Sequence, residues 1–360
     1  MKDTRIKHLQ AMSDEEKLDF LKDNFELELR YDSLIVSLDE LDPNSSYFWS
    51  DIWVIDQRYL VKEILSPAIN ANPDSFGAKK DLLLHLRKDG IPVFLPHFAK
   101  CGNPYEKISV VENEQPHLIE ITDYYPKAEK YSESLDQLDQ VGDVVGKIVS
   151  SLSTIPREIA NVILSRETIW QGFRNPLNGL DFAEELSFYQ QEVSKLGGEL
   201  GAQIKTLLPI IREEYERFTS NPAIDIPRGL THGDIQRCNM IFDKDSKDLV
   251  AVIDWDSMEE NYKILDIVYT MDRMSFVVPD YHNTDPRKAE RFLHSVSNNY
   301  TLSSKEEKSM ITALVDYSLP NICGIFRDIF YNGFTHPDYS LHLNVLNLNR
   351  MRILEKELLN

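Results

Sequence analysis

Residues 230–256 read LTHGDIQRCNMIFDKDSKDLVAVIDWD, and this stretch restricts the fold more than any other. Two apolar runs, MIF and LVAVI, flank the polar turn DKDSKD. Short apolar runs split by Asp, Ser and Lys make a β-hairpin, with the turn left to water and the runs given to a sheet. A hairpin brings its two ends together. Asn239 and Asp254 are therefore expected to meet, although fifteen positions separate them. Asp254 then stands at a strand terminus and faces a cleft instead of a sheet interior. Asp234, two places after His232 and five before Asn239, lies on the loop that enters the hairpin.

The chain on either side divides into two unlike parts. SDEEKLDFLKDN (13–24) predicts a short helix, with Ser13 and Glu16 as a capping box. The runs 33–38, 47–55 and 58–65 predict three antiparallel strands joined by turn residues. Residues 75–88, SFGAKKDLLLHLRK, predict a helix closed by Gly90. An extended stretch at 91–95 and strands at 107–113 and 117–122 follow. From about residue 127 the pattern turns helical, over 135–152, 181–196 and 199–218, and again after the hairpin. The fold class expected is α+β and bilobal: a small antiparallel β-sheet lobe with one helix inserted, then a larger, mainly helical lobe. The boundaries predicted are residues 1–122 for the first lobe, 123–126 for a hinge and 127–360 for the second.

With 39 Lys+Arg against 59 Asp+Glu, the formal charge is −20. Such a surface repels a phosphate backbone, so no nucleic-acid partner is expected. An acidic cleft concentrates cations, although a solvated acidic surface that serves solubility explains the same balance. The three cysteines are widely spaced, without a disulfide framework or a zinc pattern, and fit a reducing cytoplasm. No secretory signal opens the chain and no uninterrupted apolar run approaches a membrane span, so neither a membrane nor a protein partner is implied.

The residues around the hairpin suit phosphoryl transfer. That reaction asks a protein for positioning, for a metal that neutralises phosphate charge, and for a carboxylate that orients the attacking hydroxyl. Asp234 is the candidate for the last of these. Asn239 and Asp254 offer hard oxygen ligands of the kind Mg²⁺ takes. His232 reads as a brace for the loop by hydrogen bonding rather than as a proton carrier.

His232-Gly233-Asp234, then Asn239, then Ile253-Asp254-Trp255 is similar to the signature of the aminoglycoside phosphotransferase/choline kinase family, relatives of the protein kinases. The resemblance implies a kinase-like fold, Asp234 as catalytic base, and Asn239 and Asp254 as Mg²⁺ ligands. It also implies that Asp266, in LDIVY, holds the catalytic loop. In the first lobe it makes Lys62, in the strand YLVKEIL, the anchor of the donor's α- and β-phosphates. The family pairs that lysine with a Glu in the following helix. Here Asp81 is the only acid within the helix, with Asp74 just before it, so the pairing stands open. The loop DPNSSYFW, where kinases carry glycines, has none; Ser45, Ser46 and backbone N–H groups are its phosphate candidates, and a simple turn is the alternative. The backbone from Glu120 to Thr122 is expected to meet the adenine edge, which leaves ATP and GTP both open as donors.

Acceptor candidates are Asp256, Glu184 and Glu185. Trp170, Phe173, Phe188 and Tyr189 fit either a helical core or a cation–π wall. The reading is a kinase that moves the γ-phosphate of ATP or GTP to a hydroxyl of a small, cationic acceptor: an aminoglycoside, an amino-sugar, or an amino alcohol such as choline. A homoserine or sugar kinase of the same fold, and a catalytically silent nucleotide-binding protein, are the alternatives.

Overall fold

The computed structural model describes residues 8–30, 32–38, 50–65, 73–109, 116–165, 182–220, 226–277, 283–331, 333 and 348–359. Two helices open it, α1 (His8–Ala11) and α2 (Asp14–Asn24). Ser13 and Glu16 cap α2 reciprocally, as their spacing predicts. An antiparallel sheet follows, made by β1 (Ile35–Ser37), β2 (Ser50–Ile55), β3 (Tyr59–Ile64), β4 (Glu106–Ile108) and β5 (His117–Asp123). Their order across the sheet is β1-β2-β3-β5-β4. Asp56, Gln57 and Arg58 join β2 to β3; Asp56 and Gln57 have φ of 52° and 53°, in the left-handed region, and the Arg58 N–H donates to the Ile55 carbonyl at 2.9 Å. The register pairs Lys62 with Glu120, so their side chains share one face of the sheet. Residues 91–95, expected to be extended, form no strand; the Pro92 carbonyl instead accepts the Val252 N–H at 2.9 Å.

Between β3 and β4 lies α3 (Pro73–Lys88), which fastens the two parts together. Its Phe76 packs with Ile64, Tyr105 and Leu118 under the sheet. Its Leu82, Leu83 and Leu86 join the large core of the helical part. Lys79 lies three residues after Phe76 and three before Leu82, on the buried stripe of the helix.

The second part has two small sheets. The expected hairpin is β8 (Met240–Asp243) with β9 (Leu249–Val252), and β6 (Ala128–Glu129) adds to the free edge of β8. A further pair, β7 (Arg228–Thr231) with β10 (Glu259–Tyr262), brackets the hairpin. The sequence pattern did not predict it, because EENY has neither the alternation nor the branched side chains of a strand. Glu259 is buried in β10.

The helices are α4 (Leu135–Leu152), α5 (Arg157–Leu164), α6 (Phe182–Glu192), α7 (Gly198–Ser220), α8 (Leu265–Ser275), α9 (Pro286–Val296), α10 (Ser304–Phe330) and α11 (Leu348–Leu359). In α4, Leu138, Val141, Val145, Ile148 and Leu152 recur at helical spacing and are all buried. α10 is long and apolar enough to cross a membrane by length and composition, but 78 % of its most apolar window is buried inside the protein. It is the central core helix of this part.

Candidate active site

The hairpin register places the residues that matter side by side. Met240 pairs with Val252, and the Ile253 N–H donates to the Asn239 carbonyl at 2.9 Å. Asp254 then leaves the strand with φ 64° and ψ 53°. A left-handed non-glycine residue costs of order 1–3 kcal/mol and persists only where its surroundings hold it. Here it reverses the chain into a short turn, Trp255–Ser257, that turns Trp255 inward. The Trp255 indole donates to the Val252 carbonyl at 2.9 Å, and its ring lies 4.4 Å from that of His232. The Asp254 side chain keeps 39 % of its surface exposed, open to the cleft.

The loop ahead of the hairpin hangs from one carboxylate. Asp266, buried in the first turn of α8, accepts the N–H groups of His232 (2.8 Å) and Gly233 (2.9 Å). Its pKa is raised to about 6: burial drives it up, and the two N–H bonds hold it back. Gly233 has φ 81°, and a Cβ there would stand 2.7 Å from the Ser257 carbonyl, so no other residue fits. The Tyr317 hydroxyl, from α10, donates to the Gly233 carbonyl at 3.1 Å. His232 has no exposed surface, and burial lowers its pKa to about 4. Its neutral ring donates from Nε2 to the Ile253 carbonyl (3.1 Å) and accepts the Asp234 N–H at Nδ1 (3.3 Å).

These contacts fix Asp234. Its carboxylate accepts from the Tyr269 hydroxyl (2.8 Å), the Gln236 amide (2.9 and 3.0 Å) and the Asn239 amide (2.9 Å). Burial, then the nearby Asp254 charge, raise its pKa to about 7; Tyr269 and Gln236 oppose the rise. A carboxylate so held can orient a hydroxyl and take its proton near neutral pH. Asn239 turns its NH₂ to the carbonyl and carboxylate of Asp234, and its amide oxygen is contacted by the Cys238 thiol at 3.5 Å. Neither Tyr269 nor Gln236 was singled out from sequence. The signal for Tyr269 was its place three residues after Asp266, on the same helix face.

Across the cleft stand two lysines. Lys62 contacts Asp254 at 3.1 Å and Asp256 at 2.7 Å. Burial alone would lower its ammonium pKa, but Asp254, Asp256 and Glu120 together hold it above the ordinary lysine value. Lys79, from α3, contacts the other oxygen of Asp256 at 2.9 Å and Glu120 at 2.9 Å. It too is raised in spite of burial, by Asp256 and Glu120. The open question of Asp81 is answered: Asp81 lies on the exposed face of α3, and Lys62 takes its carboxylates from the turn after β9. Two residues along a helix is about 200° of rotation, so the helix that presents Lys79 to the cleft turns Asp81 to solvent.

The remaining candidates divide. Ser45, Ser46, Trp170 and Phe173 lie outside the described residues. The backbone of Glu120 to Thr122 lies within β5, in register with Lys62 to Leu60, and the Ile121 carbonyl accepts the His97 N–H at 2.7 Å. Glu120 instead turns its side chain toward Lys79. Glu184 is exposed on α6. Glu185 is buried and contacts Arg327 at 3.2 Å, ten residues and roughly 15 Å along α10 from Tyr317. Neither stands among the residues around Asp234. Tyr189 packs against Phe326 and Phe330 as core.

The residues present fit a divalent cation. Asn239 and Asp254 contribute oxygen donors only, and the Lys62 ammonium already rests on the Asp254 carboxylate. Among the described residues no group of three or more His, Cys, Asp or Glu could hold a metal alone. A two-residue set of this kind suits Mg²⁺, which keeps waters and takes further oxygens from substrate phosphates.

The sheet and the helical part meet at these residues, and comparison with known proteins gives the class of protein that carries them. The phosphotransferase enzyme family, APH, matches residues 50–294. The chain belongs to this family, and is an enzyme that transfers phosphate to a hydroxyl of a small molecule. No curated protein matches it. Among solved structures it is similar to a spectinomycin phosphotransferase bound to ADP and spectinomycin (TM-score 0.61, 13 % identity, covering 97 % of this chain and 100 % of that one). It is also similar to a microcompartment-associated aminopropanol kinase (0.61, 14 %, 96 % and 98 %). A third is an amicoumacin kinase in complex with AMP-PNP, Ca²⁺ and Ami (0.60, 13 %, 97 % and 95 %). At these identities the likeness establishes the bilobal kinase-like fold.

Proposed function

We propose that this protein transfers the γ-phosphate of ATP or GTP, with Mg²⁺, to a hydroxyl of a small cationic acceptor: an aminoglycoside, another amino-sugar, or an amino alcohol. The observation that carries it is the convergence of Asp234, Asn239, Asp254 and Lys62, linked by direct contacts of 2.9 Å (Asn239 to Asp234) and 3.1 Å (Lys62 to Asp254). Residues 1–122 form the donor lobe, 123–126 the hinge, and 127–360 the catalytic and acceptor lobe.

In this reading Asn239 and Asp254 hold Mg²⁺, which when bound neutralises charge on the transferring phosphate. Lys62 holds the α- and β-phosphates. Asp234 aims the acceptor hydroxyl and takes its proton as the new P–O bond forms and the bond to the leaving nucleoside diphosphate breaks. Asp266 and neutral His232 keep that carboxylate in place without exchanging protons themselves. The formal charge of −20 supports a cationic acceptor, since an acidic surface raises the local concentration of cations. The names of the similar structures, which include spectinomycin and aminopropanol, lie in the same chemical class.

The test is an ATP- and GTP-consumption assay across amino alcohols, amino-sugars and aminoglycosides, with Asp234→Ala as control. Turnover with one acceptor class, lost in Asp234→Ala, is the expected result. No turnover with any acceptor, together with nucleotide binding that survives Asp234→Ala, would replace this reading with a silent nucleotide-binding protein.

A further inference from the structure

Asp256 is divided between two lysines. Its Oδ2 faces Lys62 at 2.7 Å and its Oδ1 faces Lys79 at 2.9 Å. Lys79 also contacts both oxygens of Glu120, at 2.9 and 3.0 Å, and lies 4.6 Å over the Phe76 ring. The three partners come from three places: α3, strand β5 and the turn after Asp254. The side chains of Lys79, Glu120 and Asp256 are 6 %, 7 % and 9 % exposed, against 15 % for Lys62. Lys62 is therefore the more accessible of the two cations, and it also rests on Asp254, the proposed metal ligand.

A divalent ion held by Asp254 would compete with the Lys62 ammonium for that carboxylate, and phosphates held by Lys62 would draw it from Asp256. A buried carboxylate that loses its counter-charge is strongly destabilised, and that destabilisation would count against nucleotide affinity. Lys79 is placed to remove it. It is tied to Glu120 on β5 and carried by a helix anchored in both parts of the molecule.

Resting on the donor-site reading above, we propose that Lys79 is a positioning residue: it keeps Asp256 charge-compensated and in place when Lys62 leaves for the phosphates. Lys62 and Lys79 are thus unequal, one mobile between carboxylate and phosphate and one fixed. The arrangement makes metal and nucleotide assist each other's binding, because the metal releases the lysine that the nucleotide needs.

The test uses the full chain and calorimetric titration with AMP-PNP and Mg²⁺. Lys79→Met/Glu120→Gln removes the lysine and its tether together, so no carboxylate is orphaned before nucleotide arrives. Its Kd is expected to rise by roughly ten- to a hundredfold, a typical range for one lost charge partner in a buried network. The larger share of the loss should appear in the donor KM rather than in kcat. Adding Asp256→Asn, which removes the charge that Lys79 compensates, should restore Kd to within about fivefold of wild type. A Kd unchanged in the double variant, or still weak in the triple one, overturns the proposal. Should the double variant not fold, the triple variant is compared with Asp256→Asn alone: equal Kd supports the proposal, and more than a fivefold difference overturns it. Lys62→Ala is titrated alongside. If it binds as tightly as wild type, the donor-site reading itself has failed, independently of Lys79.

Discussion

The two walls of the cleft are built in different ways. On the helical side, Asp234, Asn239 and Asp254 come from one continuous segment of about twenty residues, closed by a hairpin and hung from Asp266. On the sheet side, Lys62, Lys79 and Glu120 come from a strand, a helix and another strand, and they meet Asp256 from 194 and 177 positions away for the two lysines. The first wall is carried by one segment, held by two backbone bonds to Asp266 and by side-chain bonds from Tyr269, Gln236 and Asn239 to Asp234. The second is an assembly of charges whose geometry depends on how α3 packs. Local architecture of the first kind holds a base in a fixed direction. A charge network of the second kind can redistribute when a ligand brings its own charges.

That difference can be broken experimentally, and the largest effect belongs to the local wall. Asp254→Ala should abolish Mg²⁺-dependent nucleotide binding, so that calorimetry with AMP-PNP gives the same weak signal with and without Mg²⁺; retained metal dependence would remove Asp254 from the ligand set. Asp234→Ala should lower kcat by roughly two to four decades while leaving nucleotide Kd within a few-fold, in the range for a lost general base. Steady-state kinetics with the accepted substrate measures this, and equal activity in the variant would refute the assignment. Gly233→Ala tests the scaffold rather than the chemistry. A Cβ at φ 81°, 2.7 Å from the Ser257 carbonyl, should destabilise the protein by about 1–3 kcal/mol, read as a lower Tm. An unchanged Tm would mean that the loop relaxes freely. The smallest effect is expected at Asp81. Because it is exposed on α3, Asp81→Ala should change stability by less than about 0.5 kcal/mol and leave donor KM unaltered. A tenfold rise in KM would bring Asp81 back as the partner of Lys62.

Much of this was legible in advance, for reasons that differ by residue. The hairpin was legible because alternation and turn chemistry act over a few positions. The β2–β3 pairing followed from a short turn, which forces neighbours to pair, whereas the β3–β5 pairing spans α3 and β4 and could not be read that way. Asp81 became a candidate because it was the only acid within the expected helix 75–88, and charge complementarity was weighed without helix phase. The same phase would have pointed to Lys79, a lysine standing between Phe76 and Leu82 on the apolar stripe of α3. The pairing of β7 with β10 could not be read from EENY, because its burial is conferred by Thr231 and the HGD loop packed beside it.

By itself the sequence determined the β8–β9 hairpin, because its turn and its two apolar runs are close in the chain, and the class of reaction, because the His232-Gly233-Asp234, Asn239 and Ile253-Asp254-Trp255 pattern resembles the signature of the family to which the chain belongs. Only the tertiary structure decided which lysine meets which carboxylate. Glu120 and Lys79 are 41 positions apart, and Asp256 is 177 from Lys79. No local propensity encodes such a meeting; it exists because α3 buries one stripe in two cores at once, and the charges on that stripe must find partners where water is excluded.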